Sequence, residues 1–174
     1  EWGSDGGLYL TTDQESDRLY LARLDIDGEV TPVVKDEQWN IDGVSVHSAS
    51  DRLVYSRNVD GYTELTVADI DAPGKLTETA APELPDGVAG GISWGPGGES
   101  FVLSASGSTS NTNVYRFDDT GTKQWTHAST AGIDPASFAA STLVHIESFD
   151  NLSVPGYLSL PSEIPDGGAA VVVD

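Results

Sequence analysis

Apolar residues in this chain come in short bursts separated by Gly, Asp, Asn and Pro, and one such burst recurs. Ser45-Val-His-Ser-Ala-Ser-Asp-Arg-Leu-Val-Tyr-Ser56 aligns without a gap on Ser93-Trp-Gly-Pro-Gly-Gly-Glu-Ser-Phe-Val-Leu-Ser104, at a spacing of 48 residues. A shorter copy, Trp2-Gly-Ser-Asp-Gly-Gly-Leu-Tyr-Leu-Thr11, precedes both. Each copy reads as strand, tight turn, strand, with Gly or Asp where the turn needs positive φ or a capping side chain. A third strand ending in an acid follows each time: Arg18 to Asp25, Glu64 to Asp69 and Asn113 to Asp118. A turn and a polar fourth strand complete the unit, at Glu29–Val34, Lys75–Thr79 and Lys123–Thr126.

Four short antiparallel strands recurring every 44 to 48 residues describe a β-propeller blade. A β-sandwich has no reason to repeat one turn motif at fixed spacing. Propellers close with about four to eight blades. The expected fold is therefore all-β: a partial β-propeller arc of about three four-stranded blades over residues 1–128, with exposed blade faces.

The rhythm changes after residue 128. Gly132-Ile-Asp-Pro-Ala-Ser-Phe138 places Asp ahead of Pro, Ala and Ser, the setting for a short helical turn, so 129–141 is expected to be a linker. Residues 142–174 then resume as strands. Leu143–Asp150 and Val154–Pro161 half-alternate, whereas Ala169-Ala-Val-Val-Val-Asp174 is continuously apolar before its last residue, the pattern of a strand buried in mid-sheet. These residues are expected to begin a second domain that the chain does not complete, and both ends read as cut.

The charge balance changes the picture of the surface. Twenty-eight Asp and Glu oppose eight Lys and Arg, a formal −20 over 174 residues. That excludes nucleic acid as a partner. Disorder is the usual reading of so acidic a chain, but regular strand patterns and fourteen aromatic residues argue against it. The acids are scattered singly, as on a surface adapted to molar salt, and do not form repeated calcium loops. Cysteine is absent, which removes disulfides, thiol catalysis and thiolate metal sites without choosing a compartment. No stretch approaches the roughly eighteen apolar residues of a membrane span. No membrane partner is expected, and the expected compartment is the cytoplasm.

Candidate chemistry is sparse. Gly91-Ile-Ser-Trp-Gly95 fits the G-x-S-x-G nucleophile elbow in letters, but an elbow needs a buried strand before the serine and a helix after it. Here Ser93 falls inside a blade strand and Pro96-Gly97-Gly98 turns the chain at once; Trp94 reads as a core aromatic. His47, His127 and His145 lie far apart and lack a second ligand at metal-binding spacing. Asp25-Ile-Asp-Gly-Glu29 matches the start of a calcium loop but lacks its later acids, and a hairpin turn explains it. Asn151-Leu-Ser153 is a formal glycosylation acceptor. Ser106–Thr112 reads as a polar loop between strands. No catalytic, cofactor-binding or metal-ligating residue is assigned.

Val88–Gly98 and Asn113–Asp118 resemble late propeller blades of the prolyl oligopeptidase family, in particular its acylaminoacyl-peptidase and dipeptidyl-peptidase-like microbial branch. Thr126–Phe138 and Ser148-Phe-Asp-Asn-Leu-Ser-Val-Pro-Gly-Tyr-Leu-Ser-Leu-Pro161 resemble the family's junction from the last blade into the opening strands of its α/β-hydrolase domain. The acid turn and Pro-Gly kink there imply a β-hairpin. The resemblance implies a serine peptidase that cleaves peptides through an acyl-enzyme, its propeller restricting access, with peptides and the rest of the same protein as partners. Ala170–Val173 would be the strand before the oxyanion loop. The nucleophile, Asp and His would lie beyond Asp174, and this chain alone would be inert. A stand-alone propeller that binds protein partners is the competing reading. It explains the blades, but not the change of period after Phe138.

Overall fold

The computed structural model describes residues 1–161, 163, 164, 166–168 and 170–173, and its regular structure is all β apart from two 3₁₀ turns. Among the described residues thirteen strands form four antiparallel sheets. The first holds β1 (Leu8–Thr12), β2 (Tyr20–Leu24) and β3 (Val30–Val34). The second holds β4 (Asn40–His47), β5 (Arg52–Val59), β6 (Tyr62–Ala72) and β7 (Lys75–Ala80). The third holds β8 (Val88–Trp94), β9 (Phe101–Gly107), β10 (Ser110–Asp118) and β11 (Gly121–Gln124). The fourth is the hairpin β12 (Ser141–Glu147) and β13 (Ser153–Ser159). In each sheet the strands lie in chain order, so every connection is a hairpin.

The chain divides into two compact units, residues 1–107 with 112–128 and residues 108–111 with 129–174. In the first unit the burial pattern shows how the sheets stack. Successive strand residues point to opposite faces, and the second sheet buries both. Val54, Leu65 and Val67 pack on Phe101, Leu103, Ala105, Tyr115 and Phe117 of the third sheet. Leu53, Tyr55, Ala68 and Ile70 point the other way, onto Tyr9 and Leu21 of the first sheet. The middle sheet therefore reads as an unbroken buried run, Leu53-Val54-Tyr55, while β9 in the third sheet alternates Phe101, Leu103, Ala105 inward. The three sheets of this unit stack face to face like propeller blades, in an open arc.

Turn chemistry supports the meander. Asp60 and Gly61 both have positive φ, 48° and 87°, the type I′ geometry whose twist matches the flanking strands of β5 and β6.

Three expectations are corrected. The first copy of the unit lacks a full first strand: Trp2 makes only an isolated bridge to Leu8, so the first sheet has three strands. Ser106–Thr112 is mostly strand, not loop. Ser108 and Thr109 alone make the turn, because polar Ser and Thr carry a solvent-facing ladder as well as apolar residues do. Residues 170–173 belong to no strand, and Val171, Val172 and Val173 are 85–90% exposed. An apolar run becomes a mid-sheet strand only beside a strand that pairs with it, and the described residues supply none. Ala169 and Asp174, the ends of that expected strand, lie outside the described residues.

In the second unit, Pro135–Ser137 forms a 3₁₀ turn closed by Ser137 N donating to Asp134 O at 2.9 Å. The β12–β13 turn is closed by Ser148 N donating to Leu152 O at 2.8 Å, with Asn151 at φ 63°. The ladder register puts Thr142, Val144, Ile146, Val154, Gly156 and Leu158 on one hairpin face. Of these, Ile146, Val154 and Leu158 are about half exposed.

Candidate functional site

Ser93 sits in β8, one residue before the strand ends. Gly95 N donates to Ser100 O at 2.8 Å and Gly98 N to Gly95 O at 3.1 Å, so the chain reverses into β9 and no helix follows. The backbone that presents a nucleophile at a strand–helix junction is therefore not formed here. Trp94 packs against the core shared by the second and third sheets, edge-on to Phe101 with centroids 5.1 Å apart. Its Nε1–H donates to Ser45 Oγ at 3.1 Å, which ties β8 to β4.

The glycines beside Ser93 have a structural cause. β4 and β8 each carry a bulge at corresponding places, between Ile41 and Gly43 and between Gly90 and Ser93. Gly91 takes φ 69° there, a conformation open mainly to glycine. The serine of the neighbouring strand ties each bulge: Ser56 Oγ donates to Asp42 Oδ1 at 2.6 Å, and Ser104 Oγ donates to Gly90 O at 3.1 Å. Ser56 and Ser104 stand at the repeat spacing, a signal present in the sequence that strand patterning alone does not interpret. A groove of about 220 Å³ follows the two bulges, lined by Ser45, Ser56, Gly90 and Gly91 among others.

The histidines are not gathered into one site. His47 Nδ1 lies 2.8 Å from Ser50 Oγ and its ring 5.7 Å from that of Trp94. His127 Nδ1 lies 3.3 Å from Gln124 Nε2, and His145 is in β12 opposite Pro155. Asp25–Glu29 is the β2–β3 hairpin turn, with Asp25 N donating to Glu29 O at 2.9 Å and Gly28 at φ 87°. Asn151 lies in the β12–β13 turn. Among the described residues no group of three His, Asp or Glu is placed to hold a metal ion. No helix among them is long and apolar enough to cross a membrane.

The acids expected to end the third strands have defined partners, although β6 continues past Asp69 to Ala72 and only Asp25 and Asp118 stand at strand ends. Asp25 meets Arg23 at 3.1 Å, Asp69 meets Arg52 at 3.3 Å, and Asp118 pairs with Arg116. Hydrogen bonds from the Ile26 N–H and then from Arg23 hold the Asp25 carboxyl below the usual carboxylate range. Thr120, through its hydroxyl and N–H, does the same for Asp118. Asp36 is lowered by the N–H groups of Gln38 and Trp39 and then by Arg57. Burial, reinforced by a 2.6 Å hydrogen bond to Glu78, pushes the Tyr55 hydroxyl up to about 12. Each of these shifts arises from an ion pair, a turn or the core, and none lies at a nucleophile.

This fold recurs in solved structures. A prolyl endopeptidase studied for the role of inter-domain dynamics in catalysis and specificity matches with a TM-score of 0.75 at 17% identity, over 92% of this chain and 24% of that one. Prolyl oligopeptidase B from Galerina marginata, as the apo protein, matches at 0.70 and 18% identity, over 92% of this chain and 23% of its own. Puromycin hydrolase matches at 0.67 and 18%, over 95% and 25%. The chain thus spans about a quarter of the length of these structures, and at such identities the likeness is one of fold alone. No family model matches the chain, and no curated protein matches it.

Proposed function

We propose that this chain is the propeller and domain-junction portion of a serine peptidase of the prolyl oligopeptidase family, from its acylaminoacyl-peptidase and dipeptidyl-peptidase-like branch. Residues 1–128 are its last blades, 129–141 the linker, and 142–174 the start of an α/β-hydrolase domain, its first two strands being the β12–β13 hairpin. The portion is non-catalytic. Its blades restrict access, admitting peptides to a hydrolase active site built from residues beyond Asp174, where a serine is acylated and water releases the product. The parent enzyme works in the cytoplasm of a salt-adapted cell.

One observation carries this reading: the fold likeness runs through blades and hairpin together. A match over 95% of the chain includes both the stacked sheets and the β12–β13 hairpin, which a stand-alone propeller has no need of. The test is to read the source frame beyond Asp174. A His-Gly-Gly loop, then a G-x-S-x-G at a strand–helix junction, then Asp and His, is the expected result. A stop codon or further blades would end the peptidase reading.

A further inference from the structure

A cleft of about 510 Å³ opens between the start of β6 and the segment that joins β7 to β8, Ala81-Pro-Glu-Leu-Pro-Asp-Gly87. Its volume is in the range of ligand sites, about 300–1,000 Å³. The segment is not a mobile tail. Pro82 is buried, and Leu84 packs on the core between the second and third sheets. Its far end is pinned where Thr63 N donates to Gly87 O at 2.9 Å and Ala89 N donates to Thr63 Oγ1 at 3.1 Å. Pro82 and Pro85 fix their own φ and bias Ala81 and Leu84, the residues before them, toward extended backbone, and the chain bends at Asp86 and Gly87. Yet the N–H groups of Glu83, Leu84 and Asp86 have no hydrogen-bond partner among the described residues. An anchored, proline-restricted backbone with unused donors beside a cleft is an element that an extended chain can lie along.

The charges select the occupant. Arg57, in the cleft wall, is already engaged by Asp36 at 3.2 Å and Glu64 at 3.1 Å. Glu83 and Asp86 line the same cleft, are exposed, and have no hydrogen-bond or ion-pair partner among the described residues. With Arg57 and Glu64 offsetting each other, the cleft carries two uncompensated carboxylates beside the apolar surface of Leu84 and Pro85.

We propose that this cleft binds an extended peptide segment that pairs basic with apolar side chains. Its backbone runs along residues 83–86, its cation is taken by Glu83 and Asp86, and its apolar side chain lies on Leu84 and Pro85. That such a peptide is a substrate rests on the peptidase reading; its binding does not.

The test is isothermal titration of the 174-residue chain with acetyl-Leu-Lys-Leu-Lys-Leu-amide and with the same peptide carrying Glu for Lys, at the lowest salt that holds the fold. The lysine peptide is expected to bind and the glutamate peptide not. Glu83→Gln with Asp86→Asn is expected to weaken binding by about tenfold or more. Asp27→Asn with Glu29→Gln removes equal charge from the β2–β3 turn and is expected to weaken it by less than about twofold. All four sites are exposed, and circular dichroism checks the fold of both variants. No binding of the lysine peptide, equal binding of both peptides, or equal loss in the two variants would overturn the proposal. Sequencing beyond Asp174 is unaffected by any of these results, so failure of the cleft and failure of the peptidase reading are told apart.

Discussion

Arg23 Nε lies 2.7 Å from Asp5 Oδ2, and the two side chains are only 8% and 9% exposed. An ion pair, rather than apolar packing, therefore fixes the N-terminal turn to β2. Asp5 Oδ1 also accepts from Gly7 N at 3.1 Å, and Tyr9 Oη donates to Asp5 Oδ2 at 3.2 Å. A side chain at Gly7 would collide with the guanidinium, so the glycine is what lets the pair close. Asp5→Ala leaves buried Arg23 with only the half-exposed Asp25 as its partner and is expected to cost about 3 kcal/mol in urea unfolding.

The same pair sets a pH dependence. Burial opposes ionisation of Asp5, but Arg23 and the Gly7 N–H outweigh it and hold the carboxyl below its ordinary value. A lowered carboxyl stabilises the fold in full above the unfolded pKa of about 3.9, and that contribution disappears as pH falls through the lower folded value. The stability gap between the natural chain and Asp5→Asn is therefore expected to be constant from pH 7 to about 5 and to shrink below about 4. A gap that stays constant down to pH 2 would contradict this.

Salt should stabilise the fold. Arg23, Arg52, Arg57 and Arg116 are all in ion pairs, yet the chain still carries a formal −20. Repulsion among exposed carboxylates is screened over about 10 Å at 0.1 M salt and over a few Å above 1 M. Thermal melts by circular dichroism in about 0.1 M and about 3 M KCl should differ by about 5 °C or more, higher in concentrated salt. Equal, cooperative melts at both would sink the salt-adapted surface.

Two glycines separate backbone strain from steric conflict. Gly98 has φ 77°, and a Cβ there would meet Ser50 and lie 2.6 Å from His47 Nδ1. Gly28 has φ 87° with nothing within 4 Å. Gly28→Ala is expected to cost about 1 kcal/mol for the backbone alone, and Gly98→Ala about 2 kcal/mol or more. Equal losses in urea titrations would mean that the turn between β8 and β9 gives way more easily than its contacts suggest.

The serines of the third sheet offer a matched pair. Ser104→Ala removes the tie to the β8 bulge and is expected to cost about 1 kcal/mol. Ser93→Ala removes an exposed hydroxyl from the strand and is expected to change stability by less than about 0.5 kcal/mol. Reversed effects would assign the bulge to Ser93.

Most of the strand framework was legible because a repeat doubles every signal. Ser45–Ser56 and Ser93–Ser104 state the same hairpin twice, and Asp25 and Asp118 mark two third-strand ends, whereas β6 runs on past Asp69 to Ala72. What escaped was tertiary. The bulge at Gly91 looks, in letters, like a nucleophile elbow, and only the pairing partners of β8 reveal it as a register shift. Ser106–Thr112 reads as loop because its composition is polar, although ladder hydrogen bonds need no apolar side chain. Val171–Val173 reads as a buried strand because periodicity cannot say whether a pairing edge exists. The cleft along residues 81–87 was invisible for the opposite reason: Pro, Glu and Leu there match no catalytic pattern, and their meaning comes from what β6 places beside them.

The most direct test is active-site labelling with a fluorophosphonate, applied to the 174-residue chain and to the polypeptide of the complete source frame. The account expects no label on the chain, and on the longer polypeptide a single label at a serine beyond Asp174. Labelling of Ser93 or of any other serine in the chain, or a complete polypeptide that takes no label, would contradict it.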